Sequence, residues 1–236
     1  MMRLAVPSWV IPGTYLENLT FLTGERAISG VELLFFLYDE DLQRLLNKEW
    51  EGILELRRRF NFTAHLPEPL LPLHEELVEL LLPLTERYIF HPGPPEDAPA
   101  LAGLIASWAK RFAQGPNRFL VENTRPQRLE VLLEYLPDEV GICMDTGHLL
   151  LEGKKPRVFY KRFQERIQEI HLHGIDYEKA RMDGRLPDHR PLRPQDPWFQ
   201  EMVPVLAGFT GTVNLEVFSW EEVLKSLEAL QVAGLL

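Results

Sequence analysis

Apolar and polar positions alternate regularly along this chain: short apolar runs recur about every 30 residues, each followed by turn residues and a longer amphipathic segment. This alternation predicts strands that are each followed by a helix, with helices at 41–59 and 98–114 among them. Eight strands are predicted, at RLAVPS, GVELLFF, NFTAHL, RYIFH, RFLVEN, GICMD, IQEIHLH and TVNLEVF. Nearly continuous apolar strands are typical of a parallel sheet covered by helices, so the pattern predicts an α/β fold, a single (β/α)8 TIM barrel domain over residues 1–236.

An open, doubly wound sheet is the alternative architecture for the same alternation of strands and helices. Dinucleotide-binding sheets of that kind carry a Gly-x-Gly-x-x-Gly motif after the first strand, and no such motif follows RLAVPS. The closed barrel is therefore favoured.

Metal-capable side chains follow the predicted strands at their carboxyl ends, which is the face of an α/β barrel that carries the active site. Six end or closely follow a strand and two lie in loops: His65, His91, Glu122, Asp145, His171 and Glu216, then His148 and His189. Taken singly, each is better interpreted as a buried structural side chain or an ion-pair partner. Together, five imidazoles and three carboxylates would be costly to bury without a cation, so they predict a metal site.

The mixture of imidazole and carboxylate indicates a divalent ion such as zinc, with manganese, iron or cobalt as alternatives, rather than calcium. Eight candidate ligands exceed the needs of one ion, so two or three ions are predicted. Glu122 and Glu216 are the natural bridging ligands and, with Asp145, the predicted catalytic carboxylates. His173 faces the same side of its strand as His171 and is predicted to contact substrate or support a ligand.

Substrate contacts are predicted in two further places. The segment 176–197 is rich in Pro and Arg, and four of its arginines are candidates for binding an anionic group: Arg181, Arg185, Arg190 and Arg193. Trp9 belongs to an apolar group after the first strand that could form a wall for a flat substrate, although a core role is an equal alternative. Solvated loop charge is the simpler interpretation for most of the arginines. Arg57 to Arg59 are predicted to lie on a solvated helix face and His74 on the surface.

Composition narrows the possible partners. The net charge of −10 argues against a nucleic-acid partner and leaves a small-molecule substrate. The N-terminal apolar stretch is interrupted by Pro7 and Pro12, so neither a signal peptide nor a membrane span is expected. Cys143 is the single cysteine and is predicted to be a buried hydrophobe in a reducing, cytoplasmic environment. Oligomeric state is left open.

The ordered ligand set resembles the xylose isomerase-like barrels, and within them the endonuclease IV branch, also called AP endonuclease family 2. The resemblance covers the whole chain and implies a trinuclear zinc arrangement, carried strand by strand by the eight residues above. One position departs from the pattern, because Pro187 stands where that branch has an aspartate two residues before the loop histidine. Asp188 is the nearest acid and the candidate replacement.

Several segments resemble the cobamide-remodelling phosphodiesterase family: SWVIP, GVELLFF, TAHLP, ENT, CMDTGHLLLEG, IHLHGID, DH and LEVFSWEE. This resemblance implies a metal-dependent hydrolase that cleaves the phosphoester in the nucleotide loop of a cobamide. The alternative is a sugar or sugar-phosphate isomerase or epimerase that uses one divalent metal, held by Glu122, Asp145, His171 and Glu216. An abasic-site endonuclease and a barrel that binds a ligand without chemistry remain as further alternatives.

Overall fold

Eight parallel strands form a closed barrel in the computed structural model, which describes residues 2–112, 118–177 and 188–236. Each strand pairs with its sequence neighbours, and β1 closes the barrel by pairing with β8. The strands are β1 Arg3–Pro7, β2 Gly30–Leu34, β3 Asn61–His65, β4 Thr85–Phe90, β5 Phe119–Glu122, β6 Gly141–Asp145, β7 Ile167–His171 and β8 Thr212–Asn214. All eight overlap the predicted runs, so the predicted (β/α)8 barrel is confirmed.

Helices surround the barrel, and several begin at residues whose side chains accept a backbone N–H of the first turn. Thr14 and Glu17 form a reciprocal capping box at α1, while Asp39 caps α2 and Ser219 caps α9. The helices in the described residues are α1 Tyr15–Leu22, α2 Glu40–Glu55, α3 Glu75–Leu81, α4 Ala98–Arg111, α5 Pro126–Leu133, α6 Thr146–Leu151, α7 Pro156–Phe163, α8 Pro197–Gly208 and α9 Trp220–Val232. Within the described parts of the chain, no helix is both long and apolar enough to cross a membrane.

The core has two parts because successive strand residues point alternately into the barrel and out toward the helices. The larger part packs outward-facing strand residues against the helices. Inside the barrel, Ile89, Leu120 and Cys143 form a separate apolar cluster. Each of these three residues lies two positions before a predicted ligand, so the cluster forms an apolar layer directly beneath the carboxyl-terminal end of the barrel. Cys143 is buried as predicted, and burial raises the pKa of its thiol.

Two local predictions are wrong in part. His74 is buried rather than on the surface, and its Nδ1 accepts the backbone N–H of Leu71 in a 3-10 turn. Arg57 and Arg58 are exposed as predicted, but Arg59 donates to the backbone carbonyls of residues 25 and 28. Both side chains satisfy local backbone groups, which hydrophobic periodicity does not report.

Candidate metal centre

Six of the chain's seven histidines lie at the carboxyl-terminal mouth of the barrel, together with the predicted carboxylates. Four ligands end strands and two closely follow them: His65 on β3, Glu122 on β5, Asp145 on β6, His171 on β7, His91 after β4 and Glu216 after β8. The sequence predicts His148 in a loop, but it is the third residue of α6. His189 lies in the connection between β7 and α8. Parallel strands all end at one face, so the fold itself gathers these side chains.

Glu122 is the central carboxylate of the site and is almost completely buried. Its Oε2 lies 3.1 Å from Nε2 of His65, 3.4 Å from Nδ1 of His171 and 3.6 Å from Nε2 of His91. Its Oε1 lies 3.1 Å from Nδ1 of His148. Burial raises the pKa of Glu122, but the surrounding imidazoles outweigh burial and hold it well below its usual value. The carboxylate is therefore ionised and faces four rings.

Glu216 is the second carboxylate beside Nδ1 of His171. Its Oε2 lies 3.1 Å from Nδ1 of His171, 3.5 Å from Nε2 of His189 and 3.6 Å from Nε2 of His173. Burial raises the pKa of Glu216, and the charges of His171 and His189 lower it well below its usual value. Both glutamates are thus ionised bases beside the same imidazole nitrogen.

Asp145 is held in place from both its backbone and its side chain. The Asn123 amide donates to the Asp145 carbonyl and accepts its backbone N–H, at 2.9 and 2.8 Å. Oδ1 of Asp145 caps α6 by accepting the backbone N–H of His148 at 2.6 Å. Because the same carboxylate starts the helix that carries His148, the spacing of these two ligands is fixed by local structure.

The carboxylates raise the pKa of the histidines around them. Burial lowers the pKa of His91, but Glu122 and Glu68 outweigh it and bring the pKa to about 10. Burial likewise opposes the effect of Asp145 and Glu122 on His148, whose pKa is about 9, and that of Glu216 on His189, whose pKa is about 11. A site that raises three imidazole pKa values in this way favours positive charge, which either protons or metal ions can supply.

Unpaired atoms at His171 fit a metal ion. Nε2 of His171 lies 2.8 Å from Oε2 of Glu32, so this nitrogen carries the proton and donates it. Burial lowers the pKa of His171, but Cys143, Glu216 and Glu32 raise it well above its usual value, so in the metal-free protein Nδ1 also carries a proton. Nδ1 faces Oε2 of Glu216 at 3.1 Å, and among the described residues neither atom has a well-aligned hydrogen-bond partner. Loss of the Nδ1 proton would leave a lone pair facing a carboxylate, which is unfavourable unless a cation takes the place of the proton. The donor set at this nitrogen, imidazole with carboxylates, is the one that zinc and related ions bind.

Four groups of three side chains bring ligand atoms within 4.8 Å of one another: His65, His91 and Glu122; Glu122, Asp145 and His171; His173, His189 and Glu216; and Glu32, Glu169 and His171. The first three use predicted residues at the mouth. The fourth lies inside the barrel, where the hydroxyl of Thr63 donates to Glu169 at 3.1 Å. Burial and the neighbouring Glu32 raise the pKa of Glu169 to about 8. The fourth group therefore contains a carboxyl that is largely neutral at neutral pH.

Sequence reasoning missed two acids that contact ligand imidazoles. Glu32 contacts His171 as described above, and Oε2 of Glu68 lies 2.5 Å from Nδ1 of His91. The hydrogen bond to His91 lowers the pKa of Glu68. A signal for Glu32 was present, since a charged residue interrupts the apolar run GVELLFF and is fully buried. Glu68 lies beyond its strand and carries no comparable signal.

Asp188 reaches two of the ligand histidines. Its Oδ1 lies 3.1 Å from Nδ1 of His189 and its Oδ2 lies 3.8 Å from Nε2 of His148. Burial raises the pKa of Asp188, but His189 and His148 lower it overall. Pro187 lies outside the described residues, so Asp188 is the acid that the described segment brings to these two histidines.

The four arginines that were predicted to contact substrate differ in where they lie. Arg181 and Arg185 lie outside the described residues. Arg190 pairs with Glu222 on α9 at 3.3 Å, and Arg193 lines a separate surface pocket beside Lys225. Among the described residues, no reported contact joins either arginine to the predicted ligands.

Trp9 forms an aromatic wall with Phe36 and Phe218 beside the predicted metal ligands. The ring centroids of Trp9 and Phe36 are 6.1 Å apart, and those of Phe36 and Phe218 are 6.3 Å apart. The wall lines a pocket of about 640 Å³. Phe36 lies 6.5 Å from His65 and Phe218 lies 4.7 Å from His189, so the pocket adjoins both sides of the cluster.

Comparison with curated proteins gives a partial sequence match to inosose dehydratases. No protein-family model matches the chain. Inosose dehydratase from Lacticaseibacillus casei is 40% identical over 53 residues, which are 22% of this chain and 17% of the relative. The match thus spans less than a fifth of that relative's length.

Solved structures resemble the chain over nearly its full length. The probable 3-DHS dehydratase AsbF from Bacillus anthracis has a TM-score of 0.72 at 16% identity and covers 98% of both chains. The IolI protein with a bound zinc atom has a TM-score of 0.67 at 16% identity, covering 99% of this chain and 95% of that one. L-ribulose 3-epimerase has a TM-score of 0.67 at 15% identity, covering 100% and 95%. The chain therefore has the same barrel fold as these proteins.

These proteins overturn one prediction made from the sequence. The partial sequence match is to a dehydratase, and proteins of the same fold include a dehydratase and an epimerase. The prediction of a cobamide phosphodiesterase is therefore wrong, and the corrinoid substrate finds no support in these matches. The alternative prediction, an isomerase or epimerase that uses a divalent metal, agrees better with them. The zinc in the IolI structure agrees with the predicted use of a metal.

Proposed function

We propose that this chain is a metal-dependent enzyme of the xylose isomerase-like superfamily that moves protons on a polyhydroxylated carbonyl compound, by isomerisation, epimerisation or dehydration. The observation that carries the proposal is the convergence of Glu122, Asp145, His171 and Glu216 around one unpaired imidazole nitrogen. A sugar or a cyclic keto-polyol is the substrate class, in keeping with the inosose dehydratase match and with the fold shared with L-ribulose 3-epimerase.

Two ionised glutamates supply the proton transfers. Glu122 and Glu216 flank Nδ1 of His171 at 3.4 and 3.1 Å, so substrate bound in front of this nitrogen lies between them. One carboxylate removes the proton from the carbon next to the carbonyl group. Protonation of the carbonyl oxygen then gives an enediol, and isomerisation is complete when the hydroxyl group of the first carbon loses its proton and the former carbonyl carbon gains one. Return of the removed proton to the opposite face of the same carbon gives epimerisation, and protonation of a departing hydroxyl group, which leaves as water, gives dehydration.

The metal is held by the quartet of Glu122, Asp145, His171 and Glu216. A bound divalent ion would polarise the substrate carbonyl and stabilise the negative charge that develops on its oxygen. His65 and His91 approach the same Oε2 of Glu122 that faces His171, and with Glu122 they offer a second position for a metal ion. We therefore expect more than one equivalent of metal when the ion is supplied in excess.

The aromatic wall recognises the apolar side of the substrate. Trp9, Phe36 and Phe218 are 44%, 48% and 39% exposed, which is high for large aromatic side chains in one contiguous patch. Sugars and cyclic polyols present C–H groups on one face, and these pack well on aromatic rings. The wall accepts that face while the ligand cluster binds the oxygens.

Solvent deuterium exchange tests the proposed reaction whatever its product. Metal-loaded protein is incubated in deuterated water with ketopentoses, ketohexoses and inososes, and deuterium at carbon is measured by proton NMR. Exchange at the carbon next to the carbonyl is expected for one of these classes. Glu122→Gln and Glu216→Gln should each reduce the rate roughly 10²- to 10⁴-fold, because each removes a proton-transfer group.

Glu55→Gln is the matched control, because Glu55 is exposed at the last position of α2, at the opposite end of the barrel from the site. Its exchange rate should equal that of the unmodified protein. Failure of the protein to retain any divalent metal, or full activity in both Glu122→Gln and Glu216→Gln, would contradict the proposal. Circular dichroism of each variant verifies that the fold is retained.

A further inference from the structure

His173 lies in a slot that exists because residue 147 is glycine. A side chain at position 147 would place its Cβ 2.0 Å from Cε1 and 2.4 Å from Nδ1 of His173, far inside contact distance. The His173 ring also stacks on His189, with centroids 4.4 Å apart and planes inclined by 9°. The imidazole is fully buried against a bare backbone and a second imidazole.

The backbone around His173 is fixed independently of its ring. Its N–H donates to Oγ1 of Thr146 at 3.0 Å, and the Thr146 hydroxyl has the carbonyls of His171 and His173 within 3.1 and 2.8 Å. Gly174 and Arg190 exchange two backbone hydrogen bonds, at 2.7 and 3.0 Å. These contacts hold the end of β7 and the segment of His189 beside the start of α6.

Hydrogen-bond directions define the tautomer of His173. The backbone N–H of His189 donates to Nδ1 of His173 at 2.9 Å, and the carbonyl oxygen of Gly174 lies 3.2 Å from the same nitrogen. The His189 N–H can only donate, and its contact is the shorter of the two, so Nδ1 accepts from it and presents a lone pair. Nε2 must then carry the proton, and it lies 2.9 Å from Oδ2 of Asp145, a carboxylate oxygen that can only accept. A nitrogen that donates a proton to Asp145 has no lone pair for a metal ion.

We propose that His173 is not a metal ligand but a positioning residue that joins Asp145 to the His189 segment, in a slot kept open by Gly147. The inference rests on the proposed metal centre. Asp145 is oriented through its Oδ2, and His189 is held through its backbone N–H in a conformation with φ of 51°, which side-chain-bearing residues rarely adopt. One ring thereby positions two predicted ligands that come from different connections of the barrel.

Substitutions at the slot separate this role from ligation. Gly147→Ala should lower zinc affinity roughly 10- to 100-fold, the usual effect of displacing a group that supports a ligand. Gly103→Ala on α4 is the matched control, because a Cβ there meets nothing within 4 Å, and it should leave zinc affinity unchanged. His173→Gln should keep the metal stoichiometry of the unmodified protein and lose less affinity than His173→Phe, because its amide can still donate to Asp145.

The protonation of His173 can be read directly in the metal-free protein. In two-bond proton–nitrogen NMR spectra of histidine-labelled protein, assigned by comparison with His173→Gln, Nδ1 should be unprotonated and Nε2 protonated. A proton on Nδ1 would overturn the proposal, as would direct coupling between Nε2 and a bound NMR-active cadmium ion. Unchanged zinc affinity in Gly147→Ala would also overturn it. Because the tautomer is measured without metal, failure of the protein to bind any metal would refute the proposed function alone.

Discussion

Replacing Glu32 with glutamine tests whether an acid below the mouth controls the metal ligand above it. Glu32 and His171 are both fully buried, and their 2.8 Å contact joins β2 to β7 across the barrel interior. Glutamine keeps the shape and an acceptor oxygen but removes the charge that makes the imidazole a stronger donor to a metal. We expect zinc affinity to fall roughly 10- to 100-fold, or about 1.4 to 2.8 kcal/mol.

This magnitude agrees with a second argument, because a hydrogen bond to a charged group contributes about 1.5 to 3 kcal/mol. The assay is competition for zinc with a chromogenic chelator at neutral pH, with Glu169→Gln as the control. Glu169 lies in the same layer, but its pKa of about 8 makes it largely neutral, so glutamine changes little there. Equal affinities in Glu32→Gln and the unmodified protein, or equal losses in the two variants, would refute the reasoning.

Two further predictions follow from the charges and the aromatic wall. The pKa of His91 is raised from 6.5 to about 10 and that of His189 from 6.5 to about 11. In the metal-free protein, the stability that these two protonated histidines provide is fully present below about pH 6.5 and is lost as the pH rises through the raised pKa values. The melting temperature of the metal-free protein should therefore fall between about pH 7 and pH 10, and that of the zinc-loaded protein should fall much less. Equal falls in melting temperature with pH for the two forms would contradict this prediction. Phe36→Ala and Trp9→Ala should each raise the KM of the activity that deuterium exchange identifies and leave zinc affinity unchanged. Leu37 is exposed next to Phe36 in the sequence, and Leu37→Ala should change neither KM nor zinc affinity. An unchanged KM in both wall variants would exclude the wall from substrate binding.

The barrel and most of its ligand cluster could be predicted from the sequence because both depend on short-range pattern. Apolar runs of strand length define the eight strands, and the carboxyl ends of parallel strands share one face. A polar residue at the end of each run is therefore placed at the mouth by the local pattern, whatever its distant contacts. His65, Glu122, Asp145 and His171 follow this rule, since each is the last residue of its strand.

The supporting contacts could not be predicted in this way because they join residues that are distant in sequence. Glu32 and His171 are 139 positions apart, and their contact depends on how β2 and β7 face each other inside the barrel. Arg190 is an example of a predicted contact that the structure does not contain. Its charge suggested that it binds substrate, but it pairs with Glu222 on α9. The substrate class was mistaken for a related reason: clustered metal ligands suit both hydrolysis and proton transfer, so the ligand set alone does not distinguish them.

Carboxylates other than Glu122, Asp145 and Glu216 orient three of the imidazoles at the mouth. Glu32 contacts His171, Glu68 contacts His91 and Asp188 contacts His189, each through one ring nitrogen, and in each case the other nitrogen faces Glu122 or Glu216. A ring held in this way presents a fixed nitrogen to the mouth whether a proton or a metal ion is bound there. Protons and metal ions therefore compete for the same ring nitrogens, so we expect metal to replace protons without rearrangement of the rings.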